Sequence, residues 1–237
     1  MIRQSAGQGG LGVAKFIPMA SSTVEDYLKA ILSLDEDPEC SISVGAIAEA
    51  LAVTPGTVSA MMRHLADDAL IEYVPRRSVA LSEKGRAQAL QVLRRHRLVE
   101  TFLVEVMHLD WADVHEEAEI LEHVVSDRLL ARIDEMLGHP RHDPHGDPIP
   151  DASGRMEDRT LAPLPAAEDG RYRIARVSDQ DSHMLDWMQA NGLTIGMEIH
   201  IARGDETAGI LELYRSRGEE PVRVARASAR GIYVEAL

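Results

Sequence analysis

Residues 114–127 read VHEEAEILEHVVSD, with two histidines, four glutamates and one aspartate in fourteen positions. Imidazole nitrogens and carboxylate oxygens are the donors that divalent cations take. The stretch reads as one helix, where residues at i, i+4, i+7 and i+8 share a face. From His115 that set is Glu119, Glu122 and His123. Val114, Ala118, Leu121, Val125 and Leu129 form a separate apolar stripe expected to face a core, while Glu116 and Asp127 are read as solvated. Any one of these polar side chains alone reads as decoration of a wet surface; the joint arrangement favours cation binding.

The charge distribution points the same way. Residues 98–150 hold thirteen acidic residues against three basic ones, whereas residues 21–97 hold eleven against nine. Such an acidic block calls for counter-charge, from divalent cations or, less specifically, from solvent ions. The overall charge of −14 argues against indiscriminate nucleic-acid binding by the whole surface. The 237 residues suffice for two or three small domains. No apolar run reaches 18 residues, so no transmembrane helix and no membrane partner are expected. Residues 1–20 lack a secretory pattern and read as a flexible tail, with Met19 as an alternative start. Cys40 is the only cysteine, which excludes an intrachain disulfide and a cysteine zinc site, and a cytoplasmic location is expected by default.

The amino-terminal third reads as three helices followed by a hairpin. SSTVEDYLKAILSLDED opens on a good cap and has helical apolar spacing; SVGAIAEALAV is a second helix with Ser43 as cap. TPGTVSAMMRHLADDALI follows, with Pro55 in the first turn of a third helix. A short helix, a tight turn and a second helix make a helix-turn-helix, and the two β-like runs around PRRS make a wing. In a winged helix-turn-helix the second helix enters the major groove. Thr54, Thr57 and Ser59 are short polar groups suited to close approach, and Gly56 and Ala60 suit packing on thymine methyls. Arg63, Arg76 and Arg77 are expected at phosphates. A winged module for protein partners is the rival, and it leaves the wing arginines without a task.

Two amphipathic stretches, KGRAQALQVLRRHRLVETFLVEVM and HVVSDRLLARIDEML, are expected to form a dimer surface. Leu90, Leu93, Leu98, Phe102 and Val106 are candidates for core or interface, and the sequence does not separate those uses. Residues 138–170 are rich in Pro, Gly and charge and have no periodicity. After Tyr172, YRIARVS, EIHIAR, GILELYR, VRVAR and IYVEAL read as short strands, and DSHMLDWMQANGL as a short helix stopped at Asn191-Gly192. This pattern fits a small β-barrel.

VEDYLKAI, IAEALAVTPGTVSAMMRHL, LSEKGRAQALQVLRRHRLVETFL, VHEEAEILEHVVSD and PHGDPIP together resemble, in order and spacing, the bacterial metal-dependent repressors of the diphtheria toxin repressor and manganese transport regulator type. The resemblance covers residues 22–150, with a weaker likeness beyond. It implies a mainly α protein with a small β domain: a winged helix-turn-helix over 21–88, a helical dimerisation and metal-binding domain over 89–150, a linker over 151–170 and an SH3-like β-barrel over 171–237. It implies a metal-loaded homodimer that binds operator DNA and represses metal-uptake genes.

Carried over position by position, the primary metal ligands are Asp26, Glu119, Glu122 and His123, and the ancillary ones His96, Glu100 and His115. Spacing agrees, since His96 with Glu100 and His115 with Glu119 are each i, i+4 pairs. The last domain is expected to add Asp179, with Asp181 as the near alternative; Arg176 stands where relatives carry a glutamate. Iron-type members have methionine and cysteine where this chain has Asp26 and Glu119. Hard oxygens favour Mn2+, with Fe2+ as the second choice. Lys29 stands where manganese-type relatives can carry a glutamate, which argues for a primary site plus a separate ancillary site rather than a close two-metal cluster. The family uses the PHG-PIP segment as a turn, so His139, His142 and His145 are read as turn residues and not ligands. An enzyme is the rival from another class, but HEEAE lacks the second histidine of a zinc peptidase, and no nucleophile elbow or phosphate loop is present. A regulator sensing a small organic ligand would need an apolar pocket, and the candidate helix is rich in carboxylates.

Overall fold

The computed structural model describes residues 21–36, 42–75, 78–157, 159–178, 182–203, 209–216 and 218–237. Helix α1 spans Ser22–Glu36, α2 Val44–Ala50 and α3 Pro55–Asp67. Ser43 caps α2 by accepting from the Ala46 amide, and Thr54 caps α3 by accepting from the Thr57 amide. Between them Ala52 takes a positive φ of 51°, which turns the chain so that α2 and α3 meet at 108°. Strands β1 (Ile71–Val74) and β2 (Ser78–Leu81) pair antiparallel, Ile71 opposite Leu81 and Val74 opposite Ser78. This is the expected winged helix-turn-helix. The wing-tip residues Arg76 and Arg77 lie outside the described residues. Leu28, Ile31, Leu32, Ile47, Val58, Met62 and Leu65 are each at most 1% exposed and form its core.

Helix α4 spans Glu83–Glu105, capped by Ser82. It runs unbroken through residue 88, where a domain boundary is expected from sequence. Ala89 and Leu93 belong to the core of the DNA-reading unit, whereas Val99 and Leu103 pack in a second cluster with Val114, Ala118 and Val125. One rod is therefore shared by both units.

Helix α5 covers only Val114–Leu121; Glu122–Val124 form a turn, and α6 covers Asp127–Met136. The single helix expected over 114–127 is thus broken. Ser126 provides the reason, since its side chain accepts from the Leu129 amide at 3.3 Å and starts a new helix. Val114, Ala118 and Val125 are buried as the stripe predicts, but Leu129, beyond the break, is exposed.

The last unit contains β3 (Ala162–Pro163), β4 (Gly170–Val177), α7 (Ser182–Ala190), β5 (Glu198–Arg203), β6 (Ile210–Tyr214), β7 (Val222–Ala225) and β8 (Ile232–Ala236). The strands pair antiparallel in the order β3-β8-β4-β5-β6-β7. The ends of this order, β3 and β7, are not paired to one another among the described residues, so the SH3-like sheet is open rather than a closed barrel. Leu164 and Ala167, expected in the linker, are buried in its core beside Ile174, Leu185 and Met188. Short apolar segments without periodicity look like linker in sequence and acquire their role only by packing. Trp111 and Ala112, just ahead of α5, pack on this same core. No single described helix is long and apolar enough to cross a membrane.

Candidate metal centre

Asp26 lies in α1, on the DNA-reading unit, and meets the turn that ends α5. His123 Nε2 is 2.9 Å from Asp26 Oδ1 and 3.6 Å from Glu122 Oε1. These three side chains each offer a donor atom within 4.8 Å of the other two. His123 Nδ1 is 2.8 Å from Glu25 Oε2, and Arg95 Nη1 is 3.3 Å from Glu25 Oε1. Glu25 thus fixes the ring so that Nε2 faces Asp26, as a carboxylate behind a histidine ligand does. Burial raises the Asp26 pKa, an effect that His123 and Lys29 oppose.

A second trio comprises His96 from α4 with His115 and Glu119 from α5. His96 Nδ1 and His115 Nε2 lie 3.5 and 3.6 Å from Glu119 Oε1. Glu100 Oε1 joins them, 3.0 Å from His96 Nε2 and 3.3 Å from His115 Nδ1. Of the four residues the family pattern assigns to the primary site, three therefore gather around Asp26, and Glu119 sits with the ancillary histidines. The two groups touch through His96 Nδ1, 2.6 Å from Glu122 Oε2. Lys29 stands between them, its Nζ donating to Glu119 Oε1 at 2.7 Å and Glu122 Oε1 at 2.6 Å.

The electrostatics follow from this crowding. Burial works against the charged form of His96, but hydrogen bonds to Glu100 and Glu122 overcome it and raise its pKa to about 9. Burial likewise disfavours the Lys29 ammonium, and Glu122 and Glu119 more than restore it. Burial also opposes ionisation of Glu122, yet His96 and Lys29 hold its pKa below the ordinary value. For Glu100 the same burial is outweighed by His115 and His96, which keep it ionised far below the usual carboxylate range.

A third trio, Glu100, Asp143 and His145, is buried throughout. His145 Nε2 bonds the Trp111 carbonyl at 2.8 Å, and its ring stacks on the Trp111 ring. His145 Nδ1 and Glu100 Oε2 lie 3.9 Å apart, and each is buried without a hydrogen-bond partner. Burial, Asp147 and the nearby Glu100 carboxylate push the Asp143 pKa well up. The sequence reading, which takes His145 for a turn residue, misses this cluster. The backbone there does turn, at Gly146 (φ 89°), where a Cβ would collide with the Ala175 carbonyl. That close approach packs the loop onto β4 and makes His145 part of a rigid wall. The one sequence signal was an Asp-Pro-His-Gly run with donors two residues apart. Two orphaned buried donors and sets made only of oxygen and imidazole fit a hard or borderline divalent cation at these trios. Asp179 and Asp181 lie outside the described residues. Arg176 stacks on the Tyr233 ring, 4.2 Å from its centre, and approaches Asp147 at 3.7 Å.

At the other end of the DNA-reading unit, Thr54, Gly56, Thr57, Ala60 and Arg63 are exposed along α3 and Ser59 is half-buried. The Thr54 and Thr57 hydroxyls bond each other at 2.9 Å, and Ser59 Oγ donates to the Pro55 carbonyl at 2.9 Å. The first turn is thereby stiffened from within.

Comparison with known proteins agrees with this architecture. Residues 19–79 match the family model described as the iron dependent repressor N-terminal DNA binding domain, and residues 82–151 the iron dependent repressor metal binding and dimerisation domain. The chain is 33% identical over 190 residues to the diphtheria toxin repressor of Corynebacterium efficiens, covering 76% of this chain and 82% of that protein. It is 39% identical over 147 residues to the iron-dependent repressor IdeR of Mycobacterium tuberculosis, covering 62% of each. Among solved structures, a manganese-dependent transcriptional repressor in complex with manganese superposes with a TM-score of 0.84 at 38% identity, covering 90% of this chain and 100% of that one. The manganese regulator SloR superposes with a TM-score of 0.72 at 35% identity, covering 90% and 98%. The two family models match the DNA-reading unit and the helical body in turn and together span more than half of the chain, and the chain belongs to the iron-dependent repressor family, the metal-dependent transcriptional repressors that include the diphtheria toxin repressor.

Proposed function

We propose that this chain is a manganese-activated repressor that binds operator DNA as a homodimer in the cytoplasm and has no catalytic role. The observation that carries the reading is the meeting of Asp26, from the DNA-reading unit, with Glu122 and His123, from the end of α5. The proposed primary ligands are Asp26, Glu122 and His123, with Glu119 at the border. His96, His115 and Glu100 form the proposed ancillary site, and Glu100 also faces the buried pair Asp143 and His145. Asp179 and Asp181 remain proposed contributors from the last domain. The proposed units are residues 21–88 for DNA, 89–150 for pairing and metal, 151–170 as linker and 171–237 as the SH3-like domain.

A divalent cation, when bound, supplies the positive charge that offsets carboxylates brought together from α1 and α5. The chain's own residues supply the rest. Asp26 moves with α1, whose Leu28, Ile31 and Leu32 are embedded in the core beneath α3. Glu122 and His123 stay with the helical body. Drawing these donors together fixes α3 relative to the dimer body, so that two copies of α3 can match major-groove faces ~34 Å apart. On α3, Thr54, Gly56, Thr57, Ser59 and Ala60 are the proposed base-facing set, with Arg63 and the wing residues Arg76 and Arg77 at phosphates. Oxygen and imidazole donors without sulfur favour Mn2+. Fe2+ is the second reading, supported by the curated relatives named as iron-dependent.

The test is to select duplexes from a random-sequence pool with manganese-loaded protein, then to measure their binding by fluorescence anisotropy. Binding should require Mn2+, be reversed by a chelator and respond less to Fe2+ under anaerobic reducing conditions. Asp26→Ala should abolish the metal dependence. Selection of the same duplexes in chelator, or an unaltered Asp26→Ala response, would refute the reading.

A further inference from the structure

Both oxygens of Glu122 are already engaged by groups of the chain itself. The residue is 0% exposed, with Oε1 held by Lys29 at 2.6 Å and Oε2 by His96 at 2.6 Å. A cation gathering Asp26, Glu122 and His123 therefore competes for Glu122 with two resident cationic groups. His96 is the harder to move: it is 4% exposed and clasped on its other nitrogen by Glu100 at 3.0 Å. Lys29 has a flexible four-carbon stem and a side chain 13% exposed, so its ammonium has a way out to water. It also holds Glu119 Oε1, the oxygen that faces His96 and His115. One ammonium thus sits on an oxygen of each neighbouring trio, and it reaches them from α1, one turn beyond Asp26.

We propose that Lys29 is a resident counter-cation that clasps α1 to α5 without metal and sets the metal threshold by competing for Glu122 and Glu119. This rests on the metal-activated reading given above and adds to it a residue that works against loading. Without Lys29, Glu119 would lose an ammonium at 2.7 Å and Glu122 one at 2.6 Å, leaving two buried or half-buried carboxylates to share His96, a costly arrangement. Lys29 therefore stabilises the metal-free protein with α1 already against α5, and it must be released when a divalent ion takes its place. The residue type suits the task. The chain has three lysines, Lys15, Lys29 and Lys84, among 25 basic Lys and Arg residues. A compact ammonium gives way more readily than a guanidinium able to grip two carboxylates with a rigid fork.

The experiment measures Mn2+ affinity by calorimetry and metal-free melting temperature on the full-length protein for wild type, Lys29→Met, Lys29→Gln and Lys29→Arg. Removing the competing charge should tighten Mn2+ binding by at least about tenfold in the Met and Gln variants, as expected for a unit charge a few ångströms away. Their metal-free melting temperature should fall. Lys29→Arg should bind Mn2+ no more tightly than wild type. A second measurement needs no variant: with three lysines, the Lys29 ammonium can be followed by 15N NMR. It should be protected from exchange in the metal-free protein and lose that protection when diamagnetic Zn2+ is added. Unchanged or weaker Mn2+ binding by folded Met and Gln variants, or an ammonium still protected after zinc, would overturn the proposal. Failure of the wild type to bind Mn2+ at all would instead overturn the metal-activated reading.

Discussion

Glu25 accepts from His123 Nδ1 at 2.8 Å and is itself held by Arg95 at 3.3 Å. Both partners orient a donor without being proposed as ligands. Glu25→Gln keeps the shape and weakens the pull on the ring, so Mn2+ affinity should fall ~10–100-fold, as for other partners behind a histidine ligand. Calorimetry with an unchanged circular dichroism spectrum checks it; an unaltered affinity would show that the ring is fixed by packing alone. His96 gives a pH prediction. Its folded pKa of about 9 stands above the ordinary 6.5. A raised pKa stabilises the fold fully below the unfolded value, and that contribution is lost as pH rises through the folded value. The urea midpoint of the metal-free protein should therefore fall from pH 6.5 towards 9, and His96→Gln should flatten that fall. Metal affinity should rise over the same range, because a ligand imidazole must shed its proton. At this scale the sequence was informative about residue types and silent about partners. His115, Glu119, Glu122 and His123 share a helical stripe, yet Glu119 joins His96 while Glu122 and His123 join Asp26. Tertiary crossing of α1, α4 and α5 decides that division, and no local spacing encodes it.

At the scale of elements, caps were the most legible features. Ser43, the cap expected from sequence, accepts the amide that a capping residue should, and Thr54, expected only as a base-facing residue ahead of Pro55, does the same for α3. Thr54→Ala removes that acceptor and its bond to the Thr57 hydroxyl, and should cost ~0.5–2 kcal/mol in urea unfolding. Operator affinity should fall further than stability accounts for, because the same turn is proposed to face bases. The helix break after Leu121 was less legible. A continuous apolar stripe ran through it, and the cap at Ser126 competed with that stripe and won. The loop at Gly146 was not legible at all, since its role depends on β4, some thirty residues away in the sequence. Gly146→Ala must meet both a positive φ and the Ala175 carbonyl. It should destabilise the docking of the last unit by ~1–3 kcal/mol. Hydrogen exchange should show it locally, at the Val177 amide that donates to the His145 carbonyl. Unchanged protection there would mean that docking rests on Trp111 and Ala112 instead.

At the scale of the molecule, α4 carries both Ala89 and Leu93 of the amino-terminal core and His96 and Glu100 of the helical body, so movement at one end is felt at the other. Of the acidic block over 98–150, Glu100, Glu119 and Glu122 gather around Lys29, His96 and His115, while Glu105, Asp110, Asp113, Glu116, Glu117, Asp127 and Glu135 are exposed. What is left outward on that body includes apolar side chains: Ile120 is 65% exposed, Val124 72%, Leu129 51% and Met136 58%. Ile120 lies at the end of α5 and Val124 in the turn that follows it, and Leu129 and Met136 are seven apart on α6 and so share a face. Such a patch on a monomer marks an interaction surface, and a second copy of the chain is the partner expected of a dimerisation domain. A two-fold pair would bury the patch against itself. Ile120→Asp with Val124→Asp should therefore leave a monomer in sedimentation equilibrium. Mn2+ affinity should stay within a few-fold of wild type, because each trio is assembled from one chain. Operator binding should drop by at least an order of magnitude even with saturating Mn2+, since a single α3 cannot span two half-sites. A doubly substituted protein that remained dimeric with full operator affinity would place the pairing surface elsewhere on the helical body.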